Sequence, residues 1–256
     1  MNRLKKINAI RQALASNQPS VGSWMQIPDA SVAEIMGQSG YDWVAVDMEH
    51  GAISVHQLPD LFRALELGGT LPLVRLAHGQ RKDCKQALDA GAGGVIVPMV
   101  ETAAQLIAVR DACRWPPAGT RGVGFSRANL FGEHFEAYRE EAQAPFLVAM
   151  IEHCRAVESL EEILAVEGLD AILIGPYDLS ASMGLTAQFD APAFIAAMER
   201  IRALCKQASI PCGLHVVMPD PEVLKQKIND GYRFIAYSID AVFFNTSTLA
   251  PIVSNA

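Results

Sequence analysis

Eight short apolar runs, each followed by a longer amphipathic stretch, constrain this chain more than anything else in it. The runs are "VGSWMQI" from Val21, "DWVAVDM" from Asp42, "LPLVRL" from Leu71, "GGVIVPM" from Gly93, "PFLVAMIE" from Pro145, "DAILIG" from Asp170, "IPCGLHVV" from Ile210 and "YRFIAYSI" from Tyr232. Most lack strict in–out alternation, as expected of parallel strands covered on both faces. Helical patterns are expected between them, over 29–38, 55–67, 81–90, 103–114, 157–166, 192–207 and 221–229. Several of these end at a glycine (Gly40, Gly68, Gly91, Gly168, Gly231) just before the next strand, which is ordinary helix punctuation. The alternation predicts an α/β fold, a single (β/α)₈ TIM barrel over 1–256. A first helix should precede it, with Leu4, Ile7, Ile10 and Leu14 on one face. A doubly wound open sheet is the alternative. That fold carries a glycine-rich phosphate turn after its first strand, and "MQIPDAS" is not one, so no nucleotide cofactor is expected.

One interruption stands out. After the fourth strand and its helix, Trp115 to Ala144 adds about thirty residues rich in Gly, Pro, Arg and aromatics, far beyond the usual loop. Composition narrows the partners. A net charge of −7 argues against nucleic acid or an anionic membrane, and no run of eighteen apolar residues suits a membrane helix. The basic N-terminal segment lacks the apolar core and cleavage site of a secretory signal, so a cytoplasmic protein is expected. The five scattered cysteines form no C-x-x-C pair, which speaks against disulfides and structural zinc. Cys154, in "IEHC", is read as a small residue rather than a nucleophile.

In such a barrel the chemistry collects where the strands end. Gln26 stands near the end of the first strand, Asp47, Glu49 and His50 at the second, and Arg75 at the third. Glu152 and His153 follow the fifth strand and Asp178 the sixth; His215 lies on the seventh, with Ser238 and Asp240 at the eighth. No lysine joins them: Lys5, Lys6, Lys82, Lys85, Lys206, Lys225 and Lys227 all fall in the N-terminal segment or in helices. A Schiff-base mechanism needs a lysine at the site, so a carbonyl substrate would need a metal as its electron sink. Glu152 and Asp178 are the metal candidates, since two carboxylates leave an octahedral Mg²⁺, Mn²⁺ or Co²⁺ room for water and substrate oxygens. Asp178 could instead cap the helix that follows. Asp47 and Glu49 could hold metal-bound waters or orient His50. His50, before Gly51, is placed as a proton carrier or as a hydrogen-bonded loop residue. Arg75 suits a planar carboxylate, from the substrate or from a neighbouring acid.

Taken together, "GSWMQIPDASVAEIMGQSGYDWVAVDMEHG", "LPLVRL", "ALDAGAGGVIVPMVET", "CRWPPAGTRGVG", "MIE" and "LDAILIGPYDLSASMG" resemble the HpcH/HpaI aldolase family of metal-dependent pyruvate aldolases. The resemblance implies a (β/α)₈ barrel, assembled as a hexamer built from dimers that exchange their C-terminal helix. It implies reversible cleavage of a 4-hydroxy-2-oxo acid to pyruvate, or a close 2-oxo acid, and an aldehyde through a metal-stabilised enolate. By motif, Glu152 and Asp178 would bind the metal and Arg75 would hold the pyruvate carbonyl. The N–H groups of Tyr177 and Asp178 would receive the carboxylate. His50 would be the acid/base, paired with Asp89 of its own or a neighbouring subunit, and Trp24 would line the pocket. Arg121 and Arg127 would lie over the aldehyde. Met150 and the His153–Cys154 pair depart from the family pattern, as does "GFSRANLFGEHF". These changes fall where the aldehyde would sit and leave it unnamed. The competing expectations are an oxaloacetate decarboxylase, an acyl-CoA lyase of the citrate-lyase-like branch, and a non-catalytic metal-binding barrel.

Overall fold

A computed structural model describes residues 2–248 of the chain. Eight parallel strands close into a barrel in sequence order: β1 (Ser20–Met25), β2 (Trp43–Asp47), β3 (Leu71–Arg75), β4 (Gly94–Val97), β5 (Phe146–Ile151), β6 (Ala171–Ile174), β7 (Cys212–Val216) and β8 (Phe234–Ile239), with β8 pairing back onto β1. The helices are α1 (Arg3–Ala15), α2 (Ala30–Gln38), α3 (Leu58–Leu67), α4 (Arg81–Asp89), α5 (Ala103–Cys113) and α6 (Phe135–Gln143). They continue as α7 (Cys154–Glu158), α8 (Leu160–Leu164), α9 (Pro176–Ser182), α10 (Pro192–Ala208), α11 (Pro221–Asn229) and α12 (Asp240–Ser247). All eight expected strands are present. The pattern over 157–166 resolves into α7 and α8, broken at Ser159, and α3 starts later than expected, with Pro59 in its first turn. The exchange of a C-terminal helix expected between dimers involves residues past 248, which lie outside the described residues.

Two apolar layers hold the barrel. One lies between strands and helices. The other fills the barrel itself and includes Trp43, Phe146 and Phe234 near its N-terminal end. Trp43 stacks on Phe234 at 4.3 Å and Phe234 on Phe146 at 5.6 Å. Aromatics of this size bury about 150–250 Å² each, so three of them stopper the lower barrel. Gly22 makes that packing possible, because any side chain on it would run into the Trp43 ring. At the upper end Asp240 closes the seam between β8 and β1. Its carboxylate accepts the N–H groups of Gln26 and Ile27, both at 2.9 Å, and of Ala241 at 2.7 Å.

The insertion after α5 is ordered around its own small core of Trp115, Ala128, Tyr138 and Ala142. It forms a 3₁₀ turn at Arg127–Gly132, then α6. Arg3 of α1 ties it down through Glu141 (2.7 Å) and the carbonyl of Ala128 (2.5 Å). Among the described residues no helix is long and apolar enough to cross a membrane.

Candidate active site

Residues two apart on a strand share a face, so inward residues follow one another up each strand. On β2 the inward set runs Trp43, Ala45, Asp47; on β3 it runs Leu71, Leu73, Arg75. The last of each pairs across the sheet, Asp47 opposite Arg75. Asp47 is fully buried and accepts Arg75 Nε at 2.8 Å and Nη2 at 2.5 Å, a two-pronged ion pair. Gln26 Nε2 donates to it at 2.9 Å, and the N–H groups of Glu49 and His50 at 3.0 and 3.2 Å. Burial opposes the charge on Asp47, but Arg75 and these donors prevail and hold its carboxyl down at about 2. Asp47 therefore has no oxygen left for a metal-bound water. It clamps Arg75 and holds the His50 N–H, so of the two roles read from sequence this geometry favours orienting His50 over carrying a metal-bound water.

Arg75 is also supported from below. Its Cζ lies 5.1 Å over the Trp24 ring, and Trp24 packs on His215 at 5.1 Å. Trp24 is only 1% exposed, so it floors the mouth under Arg75 instead of forming an open wall. His215 is a polar residue at the floor whose role was not legible from sequence. Burial pushes its imidazole down to about 4, so it stays neutral, and Nε2 meets the carbonyl of Ser238 at 3.1 Å. The adjacent Ser238 Oγ is buried and has no hydrogen-bond partner among the described residues.

The third side of the mouth is acidic. Glu152 is 3% exposed and accepts one backbone donor, the Met99 N–H, at 3.0 Å on Oε2. Burial, with Glu49 and Asp178 adding to it, pushes its carboxyl up to about 7. Gly175 stands against Oε1, where a side chain would displace the carboxylate. Asp178 lies exposed in the first turn of α9, a helix no side chain caps, so it is not acting as the cap the sequence allowed. Glu49 Oε2 lies 3.1 Å from Arg75 Nη1, close enough for an ion pair. Yet it has no aligned donor and is a buried acceptor without a hydrogen bond. Burial raises the Glu49 carboxyl as well. A buried acceptor without a hydrogen bond and a carboxylate forced toward neutrality, near a second carboxylate, fit a divalent cation. Among the described residues no three His, Cys, Asp or Glu side chains converge on one point, so such an ion would rest on the Glu152–Asp178 pair and on small-molecule oxygens. His50 sits exposed beside Glu49, and its ring has no hydrogen-bond partner among the described residues.

A sequence model of the HpcH/HpaI aldolase/citrate lyase family matches residues 20–246. The chain belongs to this family. As a family member it is 36% identical over 248 residues to the hydroxypyruvate/pyruvate aldolase of Roseobacter denitrificans, covering 94% of each chain. It is 38% identical to a 4-hydroxy-2-oxovalerate aldolase of Novosphingobium aromaticivorans, covering 93% of this chain and 90% of that one. The crystal structure of an HpcH/HpaI aldolase/citrate lyase family protein from Burkholderia cenocepacia superposes with a TM-score of 0.88 at 32% identity, covering 94% and 96% of the two chains.

Not every residue named by family motif reaches the mouth. The helices return antiparallel to the strands, so their C-terminal ends lie at the base of the barrel. Arg127 is anchored there: Nη2 pairs with Glu66 Oε2 of α3 at 2.8 Å and Nη1 donates to the Ala90 carbonyl beyond α4 at 3.1 Å. Arg121 is 1% exposed, between Trp115 and Tyr138 with both rings at 5.7 Å, and donates to the Tyr138 hydroxyl. Neither arginine covers the rim of its own protomer, because the insertion folds downward onto α1, α3 and α4. Asp89 closes α4 and shares that end, near Arg121 and Lys85, so it does not meet His50 of the same chain. Tyr177 stays at the rim, 54% exposed, edge-on to Phe189 at 5.1 Å. His153 is the cap of α7, its Nδ1 accepting the Arg155 N–H at 3.2 Å. Cys154 lies beside it, half-buried, with its N–H on Ser182 Oγ.

Proposed function

We propose that this protein is a metal-dependent aldolase that reversibly cleaves a 4-hydroxy-2-oxo acid to pyruvate, or a close 2-oxo acid, and an aldehyde. The observation that carries the reading is the acidic wall: Glu152, with one donor and a carboxyl raised to about 7, stands near Asp178 and a Glu49 oxygen that pairs with Arg75 but accepts no hydrogen bond among the described residues. The relatives named for hydroxypyruvate/pyruvate and 4-hydroxy-2-oxovalerate support it.

A divalent cation (Mg²⁺, Mn²⁺ or Co²⁺) held by Glu152 and Asp178 would polarise the 2-oxo carbonyl as a Lewis acid. The remaining chemistry belongs to the chain. The first-turn N–H groups of Tyr177 and Asp178 have no partners within α9, and with the helix dipole they would take the substrate carboxylate. Asp47 holds the Arg75 fork still, so the guanidinium faces the carbonyl oxygen as it gains charge, with no reorganisation needed at that moment. His50 would move the proton to and from the 4-hydroxyl. We read Asp89 as its partner from a neighbouring protomer, which makes the working unit a homo-oligomer, a hexamer built from dimers in the cytoplasm. Arg121 and Arg127 are engaged inside their own protomer, leaving few cations for a CoA ester, and this weighs against the acyl-CoA reading.

The test is proton exchange. With Mg²⁺, Mn²⁺ or Co²⁺ the protein should exchange the methyl protons of pyruvate in D₂O, followed by NMR, and should lose that activity with chelator. Condensation of pyruvate with a panel of short and sugar-derived aldehydes should then yield 4-hydroxy-2-oxo acids. Absence of exchange with every divalent ion would sink the proposal. Turnover of oxaloacetate without aldol cleavage would favour a decarboxylase.

A further inference from the structure

Glu152 owes its orientation to an unusual turn. Met99, just past β4, is left-handed at φ +49°, a conformation that residues with a side chain rarely adopt. That twist aims the Met99 N–H at Glu152 Oε2, at 3.0 Å. What holds the twist in place is a side chain of the next helix. Gln105 Nε2 donates to the Met99 carbonyl at 3.0 Å, and Gln105 Oε1 accepts the Glu101 N–H at 2.9 Å. The amide thus spans the turn and fixes both of its ends. Arg155 adds an outer tie, its Nε 2.7 Å from Glu101 Oε2, although this side chain is largely solvent-exposed and contributes little.

We infer that Gln105 is a positioning residue for Glu152: its amide holds Met99 in the left-handed turn that presents a backbone N–H to one carboxylate oxygen and leaves the other for a divalent cation. The inference rests on the reading of Glu152 as a metal ligand. Without the clamp, Met99 relaxes to an ordinary backbone conformation, its N–H withdraws, and the carboxylate loses its one protein partner. Groups that orient a metal ligand in this way typically matter about 10–100-fold in metal affinity. Gln105 could instead serve only to start α5, where its own N–H already meets Thr102 Oγ1 at 3.2 Å. The two roles are separable, because Thr102 caps the helix and does not touch the turn.

The experiment is a Mn²⁺ titration of the metal-free protein by calorimetry, with thermal melts as a check on folding. Gln105→Ala should weaken Mn²⁺ binding by about 10–100-fold. Thr102→Ala should leave the affinity unchanged while lowering the melting temperature. The decisive variant is Met99→Gly added to Gln105→Ala. Glycine takes the left-handed turn without strain, so the double variant should regain most of the lost affinity even if Gln105→Ala alone is less stable. Parent-like binding by Gln105→Ala overturns the inference. So does an equal loss in Thr102→Ala, or a double variant as weak as Gln105→Ala. If the parent itself takes up no Mn²⁺, the metal reading of Glu152 falls, and this inference falls with it.

Discussion

Replacing Arg75 by lysine should lower kcat about 10²–10³-fold and change KM for the 2-oxo acid much less. The reason is geometric. Arg75 spends Nε and Nη2 on Asp47 and approaches Glu49 with Nη1, so its position is fixed before substrate arrives. An ammonium on a flexible stem cannot reproduce that fork, nor lie flat over the Trp24 ring. Removing the charge altogether should also unfold the site. Arg75→Met strands the Asp47 carboxylate, which is fully buried, at a cost of about 3–5 kcal/mol. Adding Asp47→Asn should return most of that stability in urea denaturation and none of the turnover. Recovery of activity in the double variant would mean that Arg75 acts only through its ion pair and not on the reaction.

The second large effect is a pH dependence. The Glu152 carboxyl is raised from an ordinary 4.5 to about 7, burial being the main cause. The folded protein then binds a proton that the unfolded chain has already released over that window. For this group, stability is therefore highest below pH 4.5 and is lost as pH rises to about 7, in total about 3 kcal/mol. Asp47, depressed to about 2, acts in the opposite sense, and its contribution is lost only as the medium becomes strongly acidic. Urea denaturation of the metal-free protein at several pH values should show the Glu152→Gln variant gaining on the parent by that amount between about pH 5 and 8. Mn²⁺ should stabilise the parent more at pH 8 than at pH 5, because a charged Glu152 is what it would bind. A flat difference between variant and parent across this range would contradict the raised carboxyl.

The barrel was legible because each strand carries its own apolar run and each helix its own stop, so local chemistry and global fold agree. Glu152, Arg75 and Asp178 stand out in the sequence for a related reason: a charged residue at the end of a buried run needs a partner there, which for Arg75 is Asp47. The role of Asp47 could not be read this way. Its five donors come from residues 26, 49, 50 and 75, and only barrel closure decides that they saturate it. Arg121 and Arg127 misled for a different reason. An arginine in a long aromatic loop looks available, and nothing local says whether the loop folds up over the rim or down onto α1 and α3. His215 was visible as a residue but not as a function, since its neutrality depends on Trp24 and on the carbonyl of Ser238.

The aromatic stopper of Trp43, Phe146 and Phe234 has a kinetic corollary. A tube sealed at one end has a single doorway, so nothing that reacts above Arg75 can pass through the barrel and out of its base. On the proposed reaction, a 2-oxo acid held nearest that arginine would take the innermost berth, with the aldehyde between it and the solvent. Traffic through the doorway would then be last in, first out: the 2-oxo acid should enter before the aldehyde in synthesis and depart after it in cleavage.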